Sequence, residues 1–193
     1  MNIGIIGQGA IGRYVHEQLL TRGHVLRALV LRPEQLLNNE TEHNGTIRVA
    51  SIADLPDDID HMIDCAGHSA LKSYGPDILR RGFDLTTVSI GALADAELYR
   101  ILEQAAIDGH AKLHLASGAA VALAGLGFDD TKVKLIADPN VSDNIHEVHA
   151  TGNFGRFSFE ISGRSLPDNP RSSALAAMSV VSNLEQRAQS VCF

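Results

Sequence analysis

Two groups of residues in this 193-residue chain have the types and spacing to do chemistry. The first is Gly7-Gln8-Gly9-Ala10-Ile11-Gly12, which follows an apolar run and opens a helical pattern. In that setting each glycine has a mechanical role. Gly7 allows a tight turn, Gly9 lets the backbone approach a pyrophosphate, and Gly12 permits close helix–strand contact. A helix starting at Ala10 and Ile11 adds free N–H groups and a partial positive charge. The pattern points to a dinucleotide, NAD or NADP. The second group is the histidines, nine in all, with no HExxH or similar spacing, so no metal site is expected. An imidazole is suited to acid–base work because its pKa lies near neutrality. His146, in Asn144-Ile145-His146, and His149 sit in the later part of the chain, where a two-lobed dehydrogenase must place such a group. Spacing favours His146 over His149 only slightly.

Other positions should line the same cofactor. Arg32 lies about 20 residues past Gly12, where an acidic residue usually holds the ribose hydroxyls of NAD. A guanidinium there can pair with a 2′-phosphate, which leans towards NADP or towards use of both cofactors. Cys65-Ala66-Gly67-His68 and Ser89-Ile90-Gly91-Ala92 fall at C-terminal strand ends that face the cofactor. Small residues in both, Ala66, Ser89 and Gly91 among them, allow close approach of a nicotinamide ribose. Cys65 reads as a packed small residue, since nothing nearby in sequence would hold it as a thiolate.

The elements that must carry these residues alternate regularly. Strands are expected over Asn2–Ile6, His24–Leu31, Thr46–Val49, Asp60–Ala66, Asp84–Ile90 and Ala111–Leu115. Helices are expected over Ala10–Arg22, Leu71–Arg81 and Asp95–Asp108, closed by Gly23, Gly82 and Gly109. That rhythm implies an α/β fold, a Rossmann-type doubly wound parallel sheet over residues 1–116. From 117 to 193 a smaller α+β domain is expected: a short helix over Ala119–Leu126, strands over Lys132–Ala137, Ile145–His149 and Gly155–Ser162, then a C-terminal helix at about 170–187. Asn169-Pro170 reads as the start of that helix, which would put Arg171 in its first turn.

Composition narrows the function classes. Sixteen basic against 23 acidic residues give a formal charge of −7, with no basic run, which argues against nucleic acid. No apolar stretch approaches the ~18 residues of a membrane span. Cys65 and Cys192 match no CxxC or zinc spacing, which suggests a reducing compartment, the cytoplasm.

Several local signatures together resemble the L-aspartate dehydrogenase family. They are the Gly7–Gly12 loop, Asp64-Cys65-Ala66, Tyr74-Gly75-Pro76, Val88-Ser89-Ile90-Gly91-Ala92-Leu93 and Ser117-Gly118-Ala119. Later in the chain come Ala122-Leu123-Ala124-Gly125-Leu126-Gly127, Ala137-Asp138-Pro139, Asn144-Ile145-His146-Glu147, Gly152-Asn153-Phe154-Gly155 and Asn169-Pro170-Arg171. The resemblance implies oxidation of L-aspartate by NAD(P) to iminosuccinate, which yields oxaloacetate and ammonia or feeds NAD biosynthesis. It puts His146 on the catalytic histidine, gives Asn144 an orienting role, and puts Ala119 on a cofactor-contacting position. A homo-oligomer, a dimer, is the expected assembly. One departure stands out: Ser117-Gly118-Ala119 runs almost directly into Ala122-Leu123, where the family has a long second-lobe stretch between them. Two other readings stay open, a reductase of the homoserine dehydrogenase or dihydrodipicolinate reductase kind, and a dinucleotide-binding remnant without turnover. Arg156, Arg164 and Arg171 are the second-lobe cations available for a dicarboxylate.

Overall fold

The computed structural model describes residues 1–36, 45–116, 134, 136, 140–141, 143–153, 155–167 and 169–188. The first half is a parallel sheet of six strands, β1 (Asn2–Ile6), β2 (Val25–Val30), β3 (Ile47–Val49), β4 (His61–Asp64), β5 (Leu85–Thr87) and β6 (Leu113–Leu115). Their spatial order is β3-β2-β1-β4-β5-β6, and every pairing is parallel. The order reverses between β1 and β4, which opens a crevice at the C-terminal strand ends. Strands covered on both faces must be apolar nearly throughout, and β1 and β4 are buried along almost their whole length.

Helices α1 (Ala10–Thr21), α2 (Pro33–Leu36), α3 (His68–Arg80) and α4 (Ala96–Gly109) connect the strands. One face of the sheet is covered by α3 and α4, with Leu71, Ile78, Leu79, Leu98 and Leu102 in its core. Helix α3 begins three residues earlier than the periodicity suggests and runs through Pro76 without ending. Strand β5 is shorter than expected, because Ser89 and Ile90 already belong to a short 3₁₀ turn.

The other face is covered by α1 together with α5 (Ala174–Ala188), a helix from far along the chain. Ala177, Val180 and Leu184, spaced three and four apart, are wholly buried against Val15, Leu19, Ile3, Ile5 and Ile63. The expected helix start at Asn169-Pro170 is corrected. Residues Asn169–Ser173 form a strand, β10, antiparallel to β9 (Ser165–Leu166), and Arg171 therefore lies in a strand. Pairing of Asn169 with Leu166 and of Ser173 with Ser165 keeps the stretch extended, and proline is tolerated on an edge strand, so the helix waits until Ala174. The remaining elements, β7 (Asn144–Gly152) and β8 (Gly155–Gly163), make an antiparallel hairpin, both strands longer than the sequence suggests. The expected helix at Ala119–Leu126 falls outside the described residues, and the strand at Lys132–Ala137 almost wholly so.

Helix α5 is also tied to the sheet by a directional polar chain. The Arg187 guanidinium donates to His61 Nδ1 at 2.6 Å and to Asp84 Oδ2 at 2.6 Å. His61 must then carry its proton on Nε2, which donates to Thr86 Oγ1 at 2.7 Å. Thr86 in turn donates to Asn183 Oδ1 at 3.2 Å. Burial, then the Arg187 charge, pushes the His61 pKa down to about 3. The unfolded chain therefore binds a proton below pH ~6.5 that the folded chain refuses until about pH 3. Stability is level above that window and falls as pH drops through it, by about 2 kcal/mol at pH 5 from this group. Urea unfolding at pH 7 and pH 5 checks this, and His61→Gln should lose that part of the slope. An unchanged slope in the variant assigns the acid sensitivity elsewhere.

Candidate functional site

Strand β1 ends at Ile6, and Gly7 turns the chain with φ +86°, a conformation that side chains rarely adopt. A Cβ at Gly7 would stand 2.8 Å from the Ala66 Cβ, and one at Gly12 would run into the Gly7 carbonyl oxygen. Those two glycines hold the loop against its own fold. Gly9 is different: it is exposed, and a Cβ there would meet nothing within 4 Å. It is the N-cap of α1, makes no side-chain cap, and the first turn carries no acidic residue. The N–H groups of Ala10 and Ile11 thus start a helix whose positive end carries no capping side chain. This is a fit for a pyrophosphate.

At the ends of β4 and β5 the structure builds a second wall. Asp64 is fully buried. Its Oδ2 accepts from the Thr87 and Ser89 hydroxyls, each at 2.7 Å, and its Oδ1 accepts from the Ala66 N–H at 3.0 Å. Ser89 N–H donates back to Thr87 Oγ1 at 2.9 Å, which closes the network. Ala66, Ser89 and the glycine loop are therefore one assembly. Cys65 faces the α1 side of the core, its Cβ 3.7 Å from where a Gly12 Cβ would be, and burial pushes its thiol pKa up. It is a packing residue with a neutral thiol, as the sequence suggests. Gly91 exists for a neighbour: a Cβ on it would lie 3.0 Å from Cε1 of His68, the exposed first residue of α3.

Arg32 follows β2 by two residues and is 71% exposed, with its guanidinium 3.4 Å from Glu34. Its own N–H donates to Gln35 Oε1 at 3.2 Å, which fixes the turn into α2. Ala119 lies outside the described residues, as do Ser117 and Gly118.

The hairpin separates the two candidate histidines by strand alternation. Asn144, His146, Val148 and Ala150 share one face with Gly163, Ile161, Phe159 and Phe157, their cross-strand partners. That face is apolar apart from Asn144 and His146. On the other face His149 Nδ1 meets Ser158 Oγ at 2.9 Å and its Nε2 lies 3.3 Å from Glu147. His146 is exposed and has no hydrogen-bonding or ion-pairing side-chain partner among the described residues. Neither His146 nor Asn144 is hydrogen-bonded to the nucleotide-side residues, so the structure brings together Gly7, Gly9, Gly12, Cys65, Ala66 and Ser89 but leaves this pair on a separate element. Arg156 lies on the polar face opposite Thr151, and Arg164 is exposed between β8 and β9. Among the described residues no group of His, Cys, Asp or Glu is arranged to hold a metal ion, and no helix is long and apolar enough to cross a membrane.

Asp64, Thr87 and His68 were not singled out by sequence reasoning. The available signal was an acid closing one apolar strand and hydroxyls closing the next, Thr87-Val88-Ser89, at the crevice side of a parallel sheet.

Comparison with known proteins covers both halves. The family described as homoserine dehydrogenase, NAD binding domain, matches residues 7–116, and the family described as aspartate dehydrogenase, C-terminal, matches residues 117–187. An L-aspartate dehydrogenase of Ruegeria pomeroyi is 33% identical, with 99% of this chain and 94% of that protein covered. That alignment runs over 261 positions against the 193 residues here, so gaps in this chain make up about a quarter of it. An L-aspartate dehydrogenase of Ralstonia pickettii is 29% identical, with 99% of each chain covered. Among solved structures, the aspartate dehydrogenase of Thermotoga maritima superposes with a TM-score of 0.70 at 17% identity, over 100% of this chain and 99% of that one.

Proposed function

This chain belongs to the L-aspartate dehydrogenase family, and from that premise we propose that it oxidises L-aspartate with NAD or NADP, giving iminosuccinate and then oxaloacetate and ammonia. The observation that carries the reading is the 33% identity to an L-aspartate dehydrogenase over essentially the whole chain. The uncapped, acid-free start of α1 at Gly9 supports the cofactor half of it.

The bound dinucleotide supplies the acceptor for the hydrogen and electron pair leaving the substrate Cα. The chain's own residues do the rest. Gly7, Gly9 and Gly12, with the Ala10 and Ile11 N–H groups, hold the phosphates. Ala66, Ser89 and Gly91 shape the nicotinamide side, and Ala119 adds a contact by resemblance. His146 takes a proton from the water that adds to the imine carbon and returns it to the nitrogen, so that the C–N bond breaks with ammonia as the leaving group. Asn144 lies two residues earlier on the same strand face, roughly 6.6 Å along it, and orients the substrate or the imidazole. Support for His146 over His149 is positional: one is unpaired on an apolar face, the other is held by Ser158 and Glu147.

Arg32 favours NADP, or use of both cofactors. It is the cation at the end of β2, where a 2′-phosphate would arrive. Arg32→Ala should raise KM for NADP about tenfold with KM for NAD little changed. Equal effects on both cofactors would take discrimination away from it.

The division into a nucleotide domain over 1–116 and a substrate domain from 117 to 193 is supported by the boundary between the two family matches, with Ala174–Ala188 returning to pack on the nucleotide-side sheet. A cytoplasmic, homodimeric enzyme that feeds NAD biosynthesis completes the reading. The free thiol of Cys65 and the exposure of Phe159 on the hairpin support the first two. A second reading, a dinucleotide-binding protein without turnover, is favoured by one observation, the quarter of the family alignment that this chain lacks. Purified protein of verified intact mass, mixed with L-aspartate and either cofactor, separates the two. Aspartate-dependent growth of reduced-nicotinamide absorbance establishes the dehydrogenase, whereas cofactor binding without it establishes the binding protein.

A further inference from the structure

Asp64 is a buried carboxylate that the chemistry above does not use. It closes β4, is fully buried, and accepts three hydrogen bonds, from Thr87 and Ser89 at 2.7 Å each and from Ala66 N–H at 3.0 Å. A carboxylate in such a place is costly unless it is this well satisfied, and apolar residues would join two strand ends at less expense. Its position is informative. In a doubly wound sheet of this order the dinucleotide crosses the C-terminal edge, with its adenosine half over β1 and β2 and its nicotinamide half over β4 and β5. The Asp64 charge thus lies at the β4–β5 side of the crevice, behind Ala66 and Ser89, the residues it fixes. The oxidised nicotinamide ring carries a positive charge and the reduced ring does not.

We infer that Asp64 is a positioning residue that also acts electrostatically. It sets the Ala66–Ser89 wall, and its fixed negative charge makes the site prefer the oxidised dinucleotide over the reduced one. The inference rests on the dinucleotide reading of the Gly7–Gly12 loop. A charge behind one layer of small residues acts over this range. The arrangement also suits a dehydrogenase working in the oxidative direction, because the cation is held before reaction and the neutral product is released more easily.

Equilibrium binding tests this without turnover. NADP⁺ and NADPH, or NAD⁺ and NADH, are titrated into the wild-type chain, Asp64→Asn and Thr87→Val. Asp64→Asn removes the charge and replaces one accepting oxygen with a donor NH2 of similar size, whereas Thr87→Val keeps the charge but removes one hydroxyl of the network. The expected result for Asp64→Asn is a loss of about tenfold in affinity for the oxidised form, with the reduced form changed far less. Thr87→Val should weaken both forms together. Equal losses for both forms in Asp64→Asn overturn the electrostatic role and leave a structural one. A wild-type chain that binds neither form overturns the dinucleotide reading and this inference with it. Melting curves of each variant confirm that the folded protein is being compared, and Asp64→Glu should restore part of the oxidised-over-reduced preference if Asp64→Asn proves too unstable to titrate.

Discussion

His146→Ala should lower aspartate turnover by about 10²–10⁴-fold, the range for losing a general acid–base group, with dinucleotide affinity little changed. The separation of effects follows from where the residue is. His146 sits on the β7–β8 hairpin, and the glycine loop, Ala66 and Ser89 sit on the parallel sheet, with no hydrogen bond between His146 and that group. His149→Ala is the internal control. It removes a ring held by Ser158 and Glu147 on the opposite hairpin face, and its turnover should stay within a few-fold of wild type. Steady-state rates and dinucleotide titrations on both variants decide the matter. Near-normal rates for His146→Ala, or a deficit in His149→Ala as large, would remove His146 from the catalytic role.

The second large effect sets two glycines of one loop against each other. Gly12→Ala drives a methyl group into the Gly7 carbonyl oxygen, so α1 must move off β1. The cost should be about 1–3 kcal/mol of stability, with dinucleotide binding lost because the phosphate cradle moves with the helix. Gly9→Ala meets no neighbouring atom and has an ordinary φ of −74°, so its melting temperature should stay close to wild type. Its dinucleotide affinity should nevertheless fall at least about tenfold, because the new methyl occupies the space where the pyrophosphate approaches the backbone. Thermal melts and binding titrations give a crossed pattern if the cradle is real. Wild-type affinity in Gly9→Ala would place the phosphates elsewhere.

The parallel sheet was legible because buried strands read as short apolar runs, and the helices between them carry their stripes and closing glycines in the sequence. The glycine loop was legible for the same reason: its three spacings are set by local sterics, and local sterics are written in consecutive residues. What was not legible depended on partners far away. Asn169-Pro170 is a nearer case: it carries the signals of a helix start, and pairing with Leu166 and Ser165, three and eight residues back from Asn169 and Ser173, makes the stretch a strand. Helix α5 shows an apolar stripe in sequence, but nothing in that stripe says it lies beside α1. Asp64 is legible only within the Asp64-Cys65-Ala66 signature, because Thr87 and Ser89, which donate to it, lie more than twenty residues on. That His146 and His149 lie on opposite faces depends on alternation in a hairpin longer than the sequence suggests.

The sheet is complete in sequence at Leu115, but part of the cover of one face comes from Ala174–Ala188. On a ribosome adding about 5–20 residues per second, that delay is roughly 4–15 s, long compared with the folding of a small domain. Until then Ile3, Ile5 and Ile63 lack the burial that Ala177, Val180 and Leu184 will provide. The nascent nucleotide-binding half thus keeps that apolar surface exposed in the interval. Its fold is sealed only when the last helix has cleared the exit tunnel and Arg187 has reached His61.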